Sequence, residues 1–355
     1  MYGFKNSKEK AVSQTLGFQY YFIGWAPLGD IHCIGKDNGH KHNVMYKKAM
    51  INAHRRIKPH IHHTPVMTSR LLDEMVGAKL FFKCENFQKG GAFKMRGAVN
   101  AIMQLSQGQK EKGVVTHSSG NFAQAVSLAC QSLGIKAYIV MPSTAPQVKK
   151  NAVMGYGGML VECEPTLQAR EQNAKHLVDT KGATFLHPSN NLEVILGQGT
   201  AAKELLEKRP RLSHVFAPIG GGGLIAGTAI AARHFGSSCT VIGGEPFEAD
   251  DAYRSLESGT IETNRTTNTV ADGLKTQLGD INFPLIQQGV DRIIRVQESE
   301  IITAMRLIWE RLKIICEPSS AVALAALLKE KGAFQGEQIG ILISGGNVDL
   351  DQWPF

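Results

Sequence analysis

The stretch "KLFFKCENFQKGGAFKMRGAVNAIM", residues 79–103, combines a β-rich run, a glycine turn and an apolar helical segment. Lys94 stands where the turn meets the helix, directly behind "GGAF". An α/β fold presents side chains at this position to a ligand cleft. The alternative is a lysine whose stem packs and whose amine reaches water. Local sequence alone favours that alternative, because lysines with perturbed pKa values are the minority.

The rest of the chain repeats this alternation of strand and helix. Strand-like runs are "KLFFKCE", "GVVTHSS", "KAYIVMP", "MLVECE", "ATFLH", "HVFAPI", "CTVIGGE", "RIIRVQ" and "IGILIS". Helical stretches between them include "NFAQAVSLACQSLG", "APQVKKNAVMGYG", "LQAREQNAKHLVDT" and "GTAAKELLEK". Such alternation predicts an α/β protein with parallel sheets flanked by helices. We expect two lobes, each an open and mostly parallel sheet, with the ligand between them at the carboxyl ends of the strands.

Composition places the chain among ordinary globular proteins. It has 355 residues, of which 43% are hydrophobic and 20% charged. No apolar run reaches membrane-spanning length, and the N-terminus does not resemble a secretory signal, so we expect no membrane partner. The six cysteines are scattered without a C-x-x-C pair, which is typical of reduced thiols. We therefore expect a cytoplasmic protein.

The net charge of +8 is concentrated near the start of the chain. The basic runs are "KNSKEK" and "HKHNVMYKKAMINAHRRIKPH", and no basic stripe interleaved with aromatics follows them. This argues against a nucleic-acid partner and favours a basic cleft for a small anion. The histidines of this region lack Cys or carboxylate partners at ligand spacing, so solvated histidines are favoured over a metal site. Residues 1–44 show no sustained period, and we expect them to be poorly ordered.

Two further strand ends carry polar residues. In "THSSGN", Thr116 to Asn121, hydroxyls and a glycine lead into a helix, whose free N–H groups and dipole suit a carboxylate or phosphate. Simple N-capping by Ser118 or Ser119 is the alternative. In "LISGGN", Leu342 to Asn347, a polar group ends a buried strand.

The segment "APIGGGGLIAG" places Gly220, Gly221, Gly222 and Gly223 between a strand and a helix. Four consecutive glycines let backbone amides wrap a phosphate. The same letters fit a dinucleotide fingerprint, with Glu245 on the ribose, which would indicate a nicotinamide-dependent oxidoreductase. Against the dinucleotide interpretation, the segment has one glycine more than the fingerprint, and Lys94 would have no role. A phosphate loop together with a cleft lysine instead indicates pyridoxal phosphate.

Six ordered motifs resemble those of the serine racemase and serine/threonine dehydratase family. They are "FFKCENFQKGGAFKMRGAVNA", "THSSGNFAQA", "PIGGGGLIAG", "GGEPFEADDAY", "CEPSSAVALAAL" and "SGGNVDL". These are pyridoxal-phosphate enzymes of the tryptophan-synthase-β-like fold, PLP fold type II. The resemblance extends from about Met45 to the end. It implies a large cofactor-binding lobe from residues 45–83 and 186–355, a small lobe from residues 84–185, and a homodimer.

The resemblance also implies roles for individual residues. Lys94 matches the Schiff-base lysine, and Phe93 lies beside the cofactor ring. Asn121 matches the residue that bonds the 3′-oxygen, and Ser344 the hydroxyl at the pyridine nitrogen. The phosphate loop matches Gly220, Gly221, Gly222 and Gly223.

Two further sites follow from the same resemblance. Ser119 matches the racemases' second proton-transfer position. The loop that receives the substrate carboxylate matches Ser118, Ser119 and Gly120. A divalent-cation site, suited to Mg²⁺ or Ca²⁺, matches Glu245, the carbonyl of Ala249, and Asp251.

The chemistry implied is β-elimination of a β-hydroxy amino acid such as L-serine or L-threonine, giving a 2-keto acid and ammonia. The freed Lys94 amine takes the α-proton, and burial that lowers its pKa favours this. A serine at the ring nitrogen does not favour a protonated ring, so prompt loss of the hydroxyl is expected. Serine racemisation and 3-hydroxyaspartate dehydration are the alternatives. Many relatives carry serine where Ala92 stands and histidine where Phe122 stands, and these departures affect substrate preference and the balance between racemisation and dehydration rather than the cofactor.

Overall fold

The computed structural model describes residues 39–349, with side chains from residue 44 onward. One compact unit begins at Asn43, and the description below concerns this unit together with the first residues of the helix that leads into it. The expectation of poor order for residues 1–44 falls almost entirely outside the described residues.

Ten strands form two sheets in the described part of the chain. They are β1 (Val66–Met67), β2 (Lys79–Cys84), β3 (Val114–His117), β4 (Ala137–Pro142), β5 (Met159–Cys163), β6 (Thr184–Phe185), β7 (His214–Pro218), β8 (Thr240–Pro246), β9 (Arg292–Val296) and β10 (Gln338–Ile343). The larger sheet has the order β1-β2-β10-β7-β8-β9 and the smaller one β5-β4-β3-β6. All neighbours are parallel except β1 and β2.

The helices lie mostly between the strands. They are α1 (Gly39–Ile57), α2 (Arg70–Val76), α3 (Lys94–Met103), α4 (Gln107–Lys112), α5 (Asn121–Leu133), α6 (Gln147–Gly155), α7 (Leu167–Lys181), α8 (Leu192–Lys208), α9 (Gly223–Phe235), α10 (Asp251–Ser258), α11 (Phe283–Gly289), α12 (Glu298–Leu312) and α13 (Pro318–Lys329). The predicted α/β class with mostly parallel sheets flanked by helices is confirmed. The exact lobe boundaries stay a prediction.

The larger sheet is buried on both faces. Along β10, Ile341 and Ile343 pack into one apolar cluster, whereas Leu342 between them packs into another. Successive side chains of a strand point to opposite faces, so the two clusters lie on opposite sides of the sheet. This explains why the central strands are continuous apolar runs rather than alternating ones.

Helix α8 begins earlier than its helical signal suggests. The predicted stretch starts at Gly199, but the helix starts at Leu192, capped by the Asn191 side chain. A Cβ at Gly197 would lie 2.6 Å from the Arg96 carbonyl, and one at Gly199 would lie 2.5 Å from the Gly227 carbonyl. These glycines therefore allow close packing against α3 and α9, and they do not break the helix.

A buried ion-paired group joins α3 to α8 and β2. The Arg96 guanidinium donates to both carboxylate oxygens of Glu85 at 2.7 and 2.8 Å and to those of Glu204 at 2.8 and 2.9 Å. The Lys83 amine donates to Glu204 at 2.6 Å. All four side chains are buried. We call them the Arg96 quartet; it holds the helix that begins with Lys94.

Two further observations bear on the sequence predictions. No helix within residues 39–349 is both long and apolar enough to cross a membrane. The five cysteines in that range are free thiols. Burial raises the pKa of the Cys84 thiol to about 12, so it stays protonated at neutral pH.

Candidate active site

The turn before Lys94 is hydrogen-bonded to the carboxyl end of β10. The Phe93 amide donates to the Ser344 carbonyl at 2.9 Å, and the Gly346 amide donates to the Gly91 carbonyl at 2.9 Å. Two motifs from opposite ends of the sequence therefore form one wall of the site.

Lys94 is only partly exposed, and its amine lies among protein atoms. The amine donates to the Pro188 carbonyl at 2.9 Å and lies 5.0 Å from the centre of the Phe93 ring and 5.6 Å from that of Phe122. Burial lowers the pKa of the amine to about 8, while the Glu317 carboxylate acts to raise it. A lysine extended into water does not fit these contacts. A fraction of the amine is therefore uncharged at neutral pH, as a nucleophile or base requires.

The glycine loop between β7 and α9 is tightly enclosed. A Cβ at Gly220 would lie 2.8 Å from Leu274 Cα, and one at Gly221 would lie 2.5 Å from the Ser189 hydroxyl. Gly222 has φ +79°, which disfavours any other residue. No side chain caps α9, so the N–H groups of its first turn stay available. The loop is thus a cradle for an anion at a helix N-terminus.

Asn282 braces this loop and carries no signal in its local sequence. Its amide donates to the Gly221 carbonyl at 2.8 Å and to the Ser189 carbonyl at 3.2 Å. The residue is fully buried. Only the tertiary structure identifies it, because its partners lie far away in the sequence.

The loop of Ser118, Ser119 and Gly120 lies half-buried at the start of α5. Neither serine caps the helix: the N-cap residue is Gly120, and no side chain bonds there. Ser118 only accepts a long 3.4 Å bond from the Gly120 amide. The capping alternative is therefore wrong, and the N–H groups at the start of α5 are available to a ligand.

Asn121 joins a polar network that includes a buried carboxyl. Its amide donates to both oxygens of Glu317 at 2.9 and 3.0 Å, and its oxygen accepts from Asn347 at 2.9 Å. Burial raises the pKa of Glu317 to about 7, while the bond from Asn121 acts to lower it. The motif "CEPSS" contains Glu317, but sequence reasoning gave it no role.

A second residue missed by sequence reasoning is His187, which follows β6. Its Nδ1 accepts from the Ser189 amide at 3.2 Å and the Asn190 amide at 2.8 Å, so the ring proton lies on Nε2. Burial lowers the pKa of His187 to about 4, with His117 and Lys94 adding to the effect. The ring stays neutral at physiological pH.

Arg170, near the start of α7, places positive charge close to His117. It acts to lower the pKa of His117, which immediately precedes the serine loop. Its Nε donates to the Thr166 carbonyl at 3.4 Å. Within residues 44–349 no ion pair joins it to a carboxylate. The guanidinium is therefore available to an anionic ligand.

Ser344 directly follows β10 and is almost fully buried. Its hydroxyl lies 2.9 Å from that of Ser320 in α13. The hydroxyl predicted to meet the cofactor's ring nitrogen thus already has a protein partner.

Glu245 and Asp251 lie close enough to influence each other's charge, and both are fully buried. Glu245 accepts from the Ala252 and Tyr253 amides at 2.9 and 2.7 Å. One oxygen of Asp251 accepts from Leu278 at 3.1 Å, and the other has no partner. Burial raises the pKa of Glu245 well above its usual value, with Asp251 adding to the effect, and raises that of Asp251 to about 6. Glu245 cannot reach a ribose, which removes the dinucleotide interpretation's main residue.

These residues suit pyridoxal phosphate. The amine with a lowered pKa, the enclosed anion cradle and the polar end of β10 are the three contacts that its aldehyde, phosphate and ring nitrogen require. No cluster of three His, Cys, Asp or Glu side chains suited to a metal occurs in the described residues, so the cation site would depend on two carboxylates and a carbonyl.

Comparison with known proteins agrees with this geometry. A family model described as pyridoxal-phosphate dependent enzyme matches residues 57–345. The chain is 50% identical over 306 residues to the β-hydroxyaspartate dehydratase of Paracoccus denitrificans, covering 86% of this chain and 97% of the relative. It is also 50% identical over 307 residues to the serine racemase of Dictyostelium discoideum, covering 85% of this chain and 95% of the relative.

Comparison with solved structures finds the same kind of enzyme. A crystal structure of serine racemase from Dictyostelium discoideum superimposes with a TM-score of 0.82 at 50% identity, covering 86% of this chain and 99% of the other. The resemblance to racemases and dehydratases seen in the six motifs is confirmed.

Proposed function

Because the chain belongs to the family of pyridoxal-phosphate-dependent enzymes, we propose that it eliminates the β-hydroxyl of 3-hydroxyaspartate, with oxaloacetate and ammonia as final products. Dehydration of L-serine or L-threonine, the leading expectation from the motifs, is less well supported than the two alternatives. The relatives described above are a β-hydroxyaspartate dehydratase and a serine racemase.

The proposed elimination rests on one observation, which is that burial lowers the pKa of the Lys94 amine to about 8. In our assignment Lys94 holds the cofactor aldehyde, Phe93 lies beside the ring, Asn121 meets the 3′-oxygen and Ser344 the ring nitrogen. The cradle of Gly220, Gly221, Gly222 and Gly223 holds the phosphate. When bound, the cofactor supplies an electron sink that makes the substrate's α-proton acidic.

The protein's own groups then bind the substrate and move its protons. The loop of Ser118, Ser119 and Gly120, at the N-terminus of α5, receives the α-carboxylate. Once the substrate's amino group has taken the place of Lys94, the freed Lys94 amine, with a pKa of about 8, would take the proton from the α-carbon. The hydroxyl would leave the β-carbon as water, and the proton that it needs balances the one that Lys94 has taken.

The positive charge of Arg170 is an argument for a substrate with two carboxylates. A second carboxylate needs a cationic partner, and Arg170 has no carboxylate partner among the described residues. The neutral Nε2–H group of His187 supplies a hydrogen-bond donor beside the lysine. L-serine and L-threonine carry no group that uses this charge.

Serine racemisation is a second candidate, favoured by Ser119. Its hydroxyl makes no hydrogen bond within the described residues and does not cap α5. Racemisation needs one proton carrier on each side of the α-carbon, and we assign Lys94 and Ser119 to these two roles.

We also propose that Glu245, the Ala249 carbonyl and Asp251 bind Mg²⁺ or Ca²⁺. The unpartnered Asp251 oxygen and the raised pKa values of both carboxyls indicate negative charge that lacks a counterion. An all-oxygen set of this kind suits a hard cation. Asp251 accepts from the Leu278 amide, and the Leu278 side chain lies against Gly222, so the site would support the glycine loop rather than enter the chemistry.

A substrate panel tests the proposed reaction. The holoenzyme is assayed with 3-hydroxyaspartate stereoisomers, L- and D-serine and L-threonine, both for keto acid and for the opposite enantiomer. We expect the highest kcat/KM for 3-hydroxyaspartate and measurable serine racemisation. A preference for L-threonine, with no turnover of 3-hydroxyaspartate, would overturn the proposal and restore the simpler dehydratase.

A further inference from the structure

Glu317 is a buried carboxyl to which the proposed function gives no role. It directly precedes α13, whereas its partner Asn121 is the first residue of α5. Both Glu317 oxygens accept from the Asn121 side-chain nitrogen, at 2.9 and 3.0 Å. Helix α5 follows β3 of the smaller sheet, and α13 packs against β7, β8 and β10 of the larger sheet. The pair therefore joins elements of both sheets.

The orientation of the Asn121 amide follows from its other neighbour, Asn347. The Asn347 side-chain nitrogen lies 2.9 Å from the Gly90 carbonyl and 2.9 Å from Asn121 Oδ1. A backbone carbonyl can only accept, so the Asn347 atom that faces Gly90 must be the nitrogen. Because that nitrogen donates its second proton to Asn121, the Asn121 atom that faces it must be the oxygen. The Asn121 nitrogen is then left to face Glu317.

One N–H group of Asn121 has no partner. The two N–H bonds of an amide diverge widely, whereas the two oxygens of one carboxylate lie close together. Both Glu317 oxygens therefore lie in front of a single N–H bond, and the second N–H bond points away from the carboxylate. Within residues 44–349 the Asn121 nitrogen makes no further hydrogen bond. The second N–H group is therefore available to an oxygen of a ligand.

We propose that Glu317 orients Asn121 so that its free N–H group donates to the 3′-oxygen of the bound cofactor. This rests on the proposed function, which assigns Asn121 to that oxygen. Without the Glu317 carboxylate, the amide would be held by Asn347 alone, and part of the binding free energy would be needed to order it. Glu317 therefore acts through Asn121 as a positioning residue and needs no contact of its own with the cofactor.

Glu317 also affects Lys94, and the test must separate this effect. The carboxylate acts to raise the pKa of the Lys94 amine, against the effect of burial. A variant without the carboxylate therefore has more neutral Lys94 at pH 7, which favours cofactor capture and masks the loss at Asn121. At pH 9 the amine is mostly neutral in every variant, because its pKa is already about 8 in the wild type. Binding measured at pH 9 therefore reports the amide.

Two ligands distinguish the positioning role from a general structural role. Pyridoxal phosphate and its 3-deoxy analogue, which lacks the 3′-oxygen, are titrated into the apoprotein at pH 9, and absorbance gives each Kd. Glu317→Met removes the acceptor and should raise the Kd for pyridoxal phosphate by about 10-fold. The Kd for the 3-deoxy analogue should stay unchanged. Glu317→Gln keeps one acceptor oxygen and should have a smaller effect.

Ser319→Ala is the matched control in the first turn of α13. Ser319 is also buried, but its hydroxyl accepts from the Gly273 amide and makes no bond to Asn121. Its loss should leave both Kd values unchanged. Asn121→Ala should raise the Kd for pyridoxal phosphate alone. Adding Glu317→Met to Asn121→Ala should have no further effect, because Glu317 acts only through the amide.

Each other outcome overturns a defined statement. A wild type that binds neither ligand overturns the proposed function itself. An unchanged Kd for pyridoxal phosphate in Asn121→Ala removes Asn121 from the 3′-oxygen, and the inference fails with that assignment. Equal losses for both ligands in Glu317→Met, or no loss for either, overturn the inference alone. If Glu317→Met does not fold, Glu317→Gln gives the same comparison, and equal Kd changes for the two ligands would again overturn the inference.

Discussion

The amine of Lys94 lies in an environment that a solvated lysine does not have. Its two aromatic neighbours and a single carbonyl partner leave it poorly compensated as a cation. If it captures the cofactor covalently, borohydride reduction should fix the cofactor to the wild type and not to Lys94→Ala. Absorbance and peptide mass measure this. Lys89→Ala, five residues earlier, serves as the control and should retain the label.

The lowered pKa of Lys94 also predicts how pH affects cofactor capture by the apoprotein. Capture needs the neutral amine, whose fraction rises about tenfold per pH unit below the pKa and levels off above it. The observed rate should therefore rise up to about pH 8 and then flatten. Stopped-flow absorbance measures it. A rise that continued to pH 10 would mean that the lysine has an ordinary pKa.

Arg170 should distinguish the dicarboxylate from serine. Hydrogen bonds to charged groups contribute about 1.5–3 kcal/mol. Arg170→Gln should therefore lower kcat/KM for 3-hydroxyaspartate by about 10- to 100-fold. L-serine, assayed with the same variant, should lose far less. Equal losses for both substrates would assign Arg170 a structural role.

At the scale of elements, the Arg96 quartet connects the helix of Lys94 to α8. Removing one member of a buried pair leaves an uncompensated charge, which costs about 3–5 kcal/mol. Arg96→Met should lower the free energy of unfolding by that amount in urea titrations. Arg70→Met removes an exposed pair with Glu74 and should cost under about 1 kcal/mol. Similar losses in both variants would contradict the importance of the quartet.

The proposed cation site predicts a stability that depends on both metal and pH. The pKa values of Glu245 and Asp251 are raised in the folded state, so in EDTA these carboxyls destabilise the fold increasingly as pH rises through about 6. Mg²⁺ or Ca²⁺ should raise the Tm at pH 8 and have little effect at pH 5. At 100 times Kd the gain is about 2.7 kcal/mol.

Asp251→Asn provides the control for the cation site. It should abolish the response to the cation, whereas Asp250→Asn, whose carboxylate pairs with Arg254 and Arg295, should retain it. If EDTA leaves the Tm at pH 8 unchanged, Glu245 and Asp251 form a structural pair that binds no metal.

At the scale of the whole molecule, all nine predicted strand runs are strands. The strand that was missed, β1, has two residues and no readable period. The order of the strands was beyond sequence reasoning, because β10 lies between β2 and β7 through long-range pairing. Lys94 and the glycine loop could be identified because turn chemistry and strand ends are local features. Glu317, His187 and Asn282 could not, because burial and distant partners define their roles.

The motif resemblance predicts a homodimer, and this stays a prediction for the whole molecule. Sedimentation of the holoenzyme measures it, and we expect twice the mass of the chain. A monomer with full activity would show that one subunit contains the complete site.

The place of β10 between β2 and β7 has a consequence for synthesis on the ribosome. Strand β2, which precedes Lys94, pairs with β10, and β10 begins at Gln338. The two strands therefore cannot pair until nearly the whole polypeptide has been translated. Until then β2 is exposed on the nascent chain along the edge that β10 later covers, where chaperones or other unfinished chains can bind. Cofactor loading must therefore follow translation, and a premature stop before Gln338 removes the wall that fixes the lysine turn.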